Sequence, residues 1–275
     1  MADVFEDRKK LYPWRARLFQ TIWQTENLDW LLLTKRPENI ARLIEQAGEY
    51  YVCRDGVIRD ISREIIAWGF GGYLPSNIWL GASIENMQTA KERIHHLVAA
   101  TAPVKFLSCE PLLDWLDLSF WLFKCRECQQ RFDYSAGFSL FTQESGQGEC
   151  SLDMHEIIPA PLLDWIIIGG ESGLHARPFN LDYALALLTQ CQQAGVPVFV
   201  KQMGAVPVIS ANAWKALDNK PALKARIHYN IPAGYLALKF NDPKGADPAE
   251  WPAEFRIQQF PQPKAWKDMP GIIGT

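Results

Sequence analysis

Trp165-Ile-Ile-Ile-Gly-Gly-Glu171 is the stretch whose reading decides the fold. Three isoleucines behind a tryptophan, closed by two glycines and a carboxylate, are too few for a helix and do not alternate apolar with polar. Such a run reads as a strand covered on both faces, the habit of parallel sheets. Four other segments share the design: Trp30–Arg36 (WLLLTKR), Ile78–Glu85 (IWLGASIE), Val104–Glu110 (VKFLSCE) and Val196–Gln202 (VPVFVKQ). Helical periods lie between them. Trp14, Leu18, Ile22 and Trp23 form one stripe, and Ile40, Leu43, Ile44 and Ala47 form a second that starts after Pro37, a residue tolerated at the first helical position. Helices are also expected over Asn86–Val98 and over Leu181–Gln193, the latter with Asn180 as N-cap and Gly195 as its stop. Helix and strand therefore alternate, which predicts an α/β fold with parallel strands.

Composition agrees with a folded chain. Its 275 residues include 11 Trp, 14 Phe and 8 Tyr, enough to build a sizeable core, and the net charge of −3 offers no global attraction for nucleic acid. No apolar run approaches the roughly 20 residues of a membrane span. The opening MADVFEDRKK carries charges where a secretory signal needs an apolar core, so the expected location is cytoplasmic, with reduced thiols.

Each expected strand ends in polar residues. Lys35 and Arg36 close the first, Ser83 and Glu85 the second, Ser108 and Glu110 the third, Glu171 and Ser172 the fourth, Lys201 and Gln202 the last. In α/β proteins ligands sit at the carboxyl ends of the strands, so this set is a candidate site along one rim. Gly169 and Gly170 would let backbone approach a ligand, although the GxGxxG spacing of a dinucleotide fingerprint is missing.

Residues 124–156 interrupt the alternation, between two copies of Pro-Leu-Leu-Asp-Trp at 111–115 and 161–165. Within the interruption, Cys125-x2-Cys128 and Cys150-x4-His155 offer three thiols and an imidazole, the donor set of a tetrahedral structural zinc. The organisation expected is residues 1–123 as the first part of the α/β fold, 124–156 as a zinc-ribbon-like insertion, 157–204 as the remainder, and 205–275 as an irregular, proline-rich C-terminal extension with a strand-like stretch at Gly234–Phe240.

ADVFEDR (2–8), PWRARLF (13–19), LDWLLLTKRPENI (28–40), NIWLGASIEN (77–86), FLSCEPLL (106–113), IIIGGESGLHARP (166–178), CQQAGVPVFVKQMG (191–204) and DPAEWP (247–252) together resemble a phage-associated, radical-SAM-like family of uncharacterised proteins, often encoded beside a three-Cys-motif partner protein. The resemblance implies a (β/α) barrel of radical SAM type and S-adenosylmethionine as cofactor. Full-length relatives carry an N-terminal Cys-x3-Cys-x2-Cys loop for a [4Fe–4S] cluster, and this chain has no such loop. The expectation is then an incomplete TIM-like barrel, with residues 1–5 as the tail of a strand, that holds no [4Fe–4S] cluster and does not cleave SAM reductively on its own. Ser83, Glu85, Ser108, Glu110, Glu171 and Ser172 would contact SAM. Lys35, Arg36, Lys201 and Gln202 would face substrate or the SAM carboxylate, and Arg177 would pair with a carboxylate or phosphate.

Two other readings stand beside this one. A non-catalytic accessory protein could bind a partner or nucleic acid through the insertion, using Phe132, Tyr134, Phe138 and Phe141, although that loop is net acidic. Hydrolysis by Glu110 and Glu171 as paired carboxylates lacks a recognisable nucleophile and ranks last.

Overall fold

The computed structural model describes residues 3–55, 60–69, 74–127, 129, 131, 156–217, 221, 222, 231 and 233–263. All five expected strands are present. They are β1 (Trp30–Thr34), β2 (Ile78–Ser83), β3 (Val104–Cys109), then, after the antiparallel pair β4 (Phe123–Cys125) and β5 (Ile157–Pro159), β6 (Trp165–Gly169), and, after the short β7 (Phe179–Asn180), β8 (Val198–Gln202). Their order is β1-β2-β3-β6-β8 in an α/β fold around a parallel sheet. No closed barrel forms among the described residues. The free side of β8 is already taken: Val200 N donates to Ile257 O and Gln259 N to Val198 O, each at 2.8 Å.

The chain divides into two compact units. The first comprises residues 1–83, 91–108 and 261–275. Here β1 pairs with β2 from Trp30↔Ile78 to Thr34↔Ala82, and β2 pairs with β3 from Trp79↔Val104 to Ser83↔Ser108. Gly81 lies opposite Phe106, and a Cβ on it would come within 2.2 Å of that ring, so the phenyl group covers the strand only because position 81 has no side chain. Coverage of β1 is one-sided. Leu32 and Thr34 are buried while Leu31 and Leu33 are exposed, so the strand alternates where an unbroken apolar run predicts burial on both faces.

The helices of this unit are α1 (Tyr12–Gln24), α2 (Ile40–Asp55), α3 (Asp60–Gly69) and most of α4 (Met87–Ala99). Helix α1 is rotated from the expected stripe. Its buried residues are Arg15, Ala16, Phe19 and Ile22, whereas Trp14 and Trp23 are exposed. The cause is Arg15, 3% exposed, whose Nε donates to Val4 O at 2.8 Å, Nη2 to Glu6 O at 2.7 Å and Nη1 to Gln46 Oε1 at 3.3 Å. An arginine with three acceptors is tolerated inside, although burial lowers its pKa. Residues 4 and 5, expected as the tail of a strand, form a turn instead, held by Phe5 N donating to Asp3 Oδ1 at 2.9 Å.

The second unit comprises residues 84–90 and 109–260. A short helix, α5 (Ser119–Leu122), leads into β4. Strands β6 and β8 pair from Ile166↔Val198 to Gly169↔Gln202. The helix expected after Asn180 is α6 (Leu181–Ala194): Asn180 Oδ1 accepts from Asp182 N at 2.9 Å, and Gly195, at φ 69°, ends it in the left-handed region. Its buried Leu181, Leu187 and Leu188 each contribute about 1.5–3 kcal/mol by leaving water. The C-terminal stretch holds β9 (Pro207–Ser210), α7 (Ala211–Ala216) and β10 (Tyr235–Ala237), and β10-β9-β7 form a small sheet. No described helix is long and apolar enough to cross a membrane.

Candidate functional site

Strand ends in the second unit bring together part of the expected rim. Glu110, which follows β3, accepts from Lys201 Nζ of β8 at 3.0 Å. Glu171, two residues past β6, takes Arg177 in a fork: Oε2 accepts from Arg177 Nε at 3.0 Å and from its backbone N at 2.9 Å, while Oε1 accepts from Nη2 at 3.0 Å. Hydrogen bonding from Arg177 holds the Glu171 carboxyl at about 2, well below its ordinary value, and in turn raises the guanidinium, which also feels Glu85. The fork closes the turn 172–176, in which Ser172, Gly173, Leu174 and His175 are exposed.

The glycines of this rim are filled by the protein itself. A Cβ at Gly170 would lie 2.5 Å from Met203 O and 2.9 Å from Phe179 Cβ, and one at Gly169 would lie 3.3 Å from Glu110 Cγ. Close packing of β6 against residues 202–203 accounts for Gly170. Gln202 is likewise drawn into the scaffold, since its Nε2 donates to Gly170 O at 2.8 Å while Gly170 N donates to Gln202 O at 2.9 Å. Glu85 anchors backbone: its carbonyl accepts from Leu113 N at 3.0 Å and its N–H donates to Thr89 Oγ1 at 3.0 Å.

The first unit treats its strand ends differently. Thr34 Oγ1 donates to Asp3 Oδ1 at 2.8 Å, Lys35 N to Asp3 Oδ2 at 2.9 Å, and Arg36 Nη1 to Asp3 Oδ2 at 3.2 Å. Glu6 Oε1 stands a further 3.7 Å from Arg36 Nη2. Lys35 and Arg36, expected to face substrate, thus flank a carboxylate from the N-terminal segment. Ser83 and Ser108 are register partners and both are buried. The signal for this clamp was the acidic ADVFED run, which sequence reasoning did not connect with residues 34–36.

Of the expected zinc ligands, Cys128, Cys150 and His155 lie outside the described residues, as do the aromatics of the insertion. Cys125 is buried on β4, and its Sγ donates to Glu127 Oε2 at 3.1 Å. Among the described residues no group of three or more His, Cys, Asp or Glu is placed to hold a metal ion. Cys109 and Cys191 are free and buried, and burial pushes the Cys191 thiol up to about 12 and Cys109 in the same direction.

Chemically, the rim of the second unit offers two carboxylate–cation pairs. Both cations are half exposed, Lys201 at 54% and Arg177 at 52%. Exposed pairs of this kind are worth only about 0–1 kcal/mol, so an incoming zwitterion can exchange with either partner at little cost. Sequence reasoning also missed Asp117, a single acidic residue between leucines (Leu116-Asp117-Leu118), which is 4% exposed. A lone carboxylate in an apolar run is the signal that finds it.

The chain belongs to a family of proteins of unknown function, DUF5131, whose model matches residues 1–232. No curated protein and no solved structure matches it.

Proposed function

We propose that the rim of the second unit binds S-adenosylmethionine or a close adenosylated amino acid, in a fold of the incomplete radical-SAM barrel type. The observation that carries the reading is the pair of exchangeable salt bridges, Glu110–Lys201 and Glu171–Arg177, at neighbouring strand ends. A methionyl group presents an ammonium and a carboxylate. The first suits Glu110 or Glu171, and the second suits Lys201 or the planar fork of Arg177. Exposed Ser172 is left to meet a ribose hydroxyl. Bound SAM supplies an activated sulfonium, and these residues hold and orient it. No cleavage step is assigned to them, because the proposal includes no [4Fe–4S] cluster on this chain. A three-Cys-motif protein remains the proposed partner by resemblance.

Equilibrium dialysis against SAM tests the reading. Saturable binding is expected, weakened about 10-fold by Lys201→Ala or Arg177→Ala, the loss of one charge-assisted contact. An absence of saturable binding up to about 1 mM, or unchanged binding in both variants, overturns it.

A further inference from the structure

A cleft in the same unit shares no residue with the rim. Trp115, Asp117, Ser119, Phe123, Ile157, Gln190 and Gln193 line a cleft of about 390 Å³, within the range of small-ligand pockets. Most of its polar groups are occupied by the fold. Gln190 is spent on backbone, its Nε2 donating to Leu116 O at 2.9 Å and its Oε1 accepting from Leu118 N at 2.8 Å. Asp117 Oδ1 accepts from Ser119 N at 2.9 Å, at the start of α5. Asp117 Oδ2 has no partner and is closed to water.

That oxygen is costly. A buried acceptor left without a donor loses about 1–3 kcal/mol, and more when it carries charge. Asp117 forms no ion pair among the described residues, and its field in this closed setting is poorly screened by solvent. Around it the walls are apolar, Phe123 and Ile157, and Trp115 presents an indole that is 38% exposed. An anion at the floor, hydrocarbon walls and an aromatic face at the mouth make a combined demand. The occupant must carry positive charge and N–H donors on a flat or apolar body.

We infer that this cleft is a binding site for an organic cation of the guanidinium or amidinium class. Its head group faces Asp117 and its apolar body lies along Trp115, Phe123 and Ile157. A cation seated there gains from the carboxylate, and its N–H groups supply the donor that Oδ2 lacks once the side chain turns that oxygen into the cleft.

Benzamidinium and benzamide are the probes, since they match in shape and differ in charge. Titration is followed by the indole N–H resonance of Trp115, identified by its loss in Trp115→Phe. Benzamidinium is expected to shift that resonance saturably, with benzamide at least about 10-fold weaker, the value of one charged hydrogen bond. Asp117→Asn should erase the preference for the cation. Should that variant not fold, Trp115→Ala at the exposed mouth is the second measure, titrated by calorimetry beside the wild type because it lacks the reporter indole, with an expected loss of about 2- to 5-fold. Equal binding of the two probes overturns the inference, as does a Trp115 resonance unmoved by benzamidinium at about 10 mM. Unchanged affinity in Asp117→Asn, or in Trp115→Ala where that is the variant that folds, overturns it too.

Discussion

Pro-Leu-Leu-Asp-Trp occurs twice in the second unit, and the two copies have opposite fates. In the copy at 161–165 the tryptophan opens β6, is 3% exposed, packs edge-on to Phe199 at 6.1 Å and donates from Nε1 to Gln259 O at 2.8 Å. In the copy at 111–115 the tryptophan belongs to no strand, is 38% exposed, and its backbone N–H turns back to the side chain of Asp114 at 2.8 Å. The buried leucine also changes place, Leu112 in the first copy and Leu163 in the second. Five identical residues therefore do not set their own structure. Their C-terminal neighbours set it: Ile166–Ile168 extend into a sheet, whereas Leu116, Asp117 and Leu118 turn toward a single turn of helix. One tryptophan becomes core and the other becomes the wall of a cleft.

Substitutions can break this contrast or sharpen it. Trp165→Ala removes a fully packed indole and its hydrogen bond, and an unfolding free energy lower by about 3–5 kcal/mol is expected in urea titration. Gly170→Ala, just beyond the second copy, drives a methyl group into Met203 backbone and should cost about 1–3 kcal/mol, read as a fall in Tm. Trp115→Ala should change stability by less than about 1 kcal/mol, and a larger loss would mean that the first copy is core as well. The smallest effect belongs to Glu171. Its carboxyl is depressed to about 2 by Arg177, so its stabilisation is present above the ordinary carboxylate value of 4.5 and is lost as pH falls from there toward 2. Because the pair is exposed, the difference between wild type and Glu171→Gln should stay within a few tenths of a kcal/mol, shrinking below pH 4 in acid titrations followed by circular dichroism.

Much of the fold was legible because burial on both faces leaves a mark in the residues themselves. The runs that became β2, β3 and β6 are apolar without alternation, and Asn180 and Gly195 mark the ends of α6 with their own chemistry. The face of α1 was misread, since Arg15 counts as polar in any periodicity and is buried by carbonyls of residues 4 and 6 that no local pattern announces. An incomplete barrel was expected from resemblance, and that expectation did not foresee that the side of β8 is met by residues more than 50 positions downstream, as in Gln258 Nε2 donating to Val200 O across 58 residues. The candidate site was half legible. Strand ends named Glu110 and Lys201, which the fold joins at 3.0 Å, but they could not distinguish these from Lys35 and Arg36, which Asp3 holds from the far end of a 30-residue stretch. The mark of Asp117, a carboxylate set between Leu116 and Leu118, was present in the sequence and was passed over.

The cover of β8 has a consequence for the nascent chain. Strand β8 emerges from the ribosome about 60 residues ahead of residues 257–259, which at the usual 5–20 residues per second is about 3–12 s of synthesis. During that interval the backbone donors of Val198 and Val200 have no strand mate on that side, while Phe199 waits for Phe260, which ends 5.3 Å from its ring. Translation speed through the proline-rich stretch after residue 205 then becomes part of the folding yield, and a chaperone that binds extended apolar segments has its chance before Phe260 arrives.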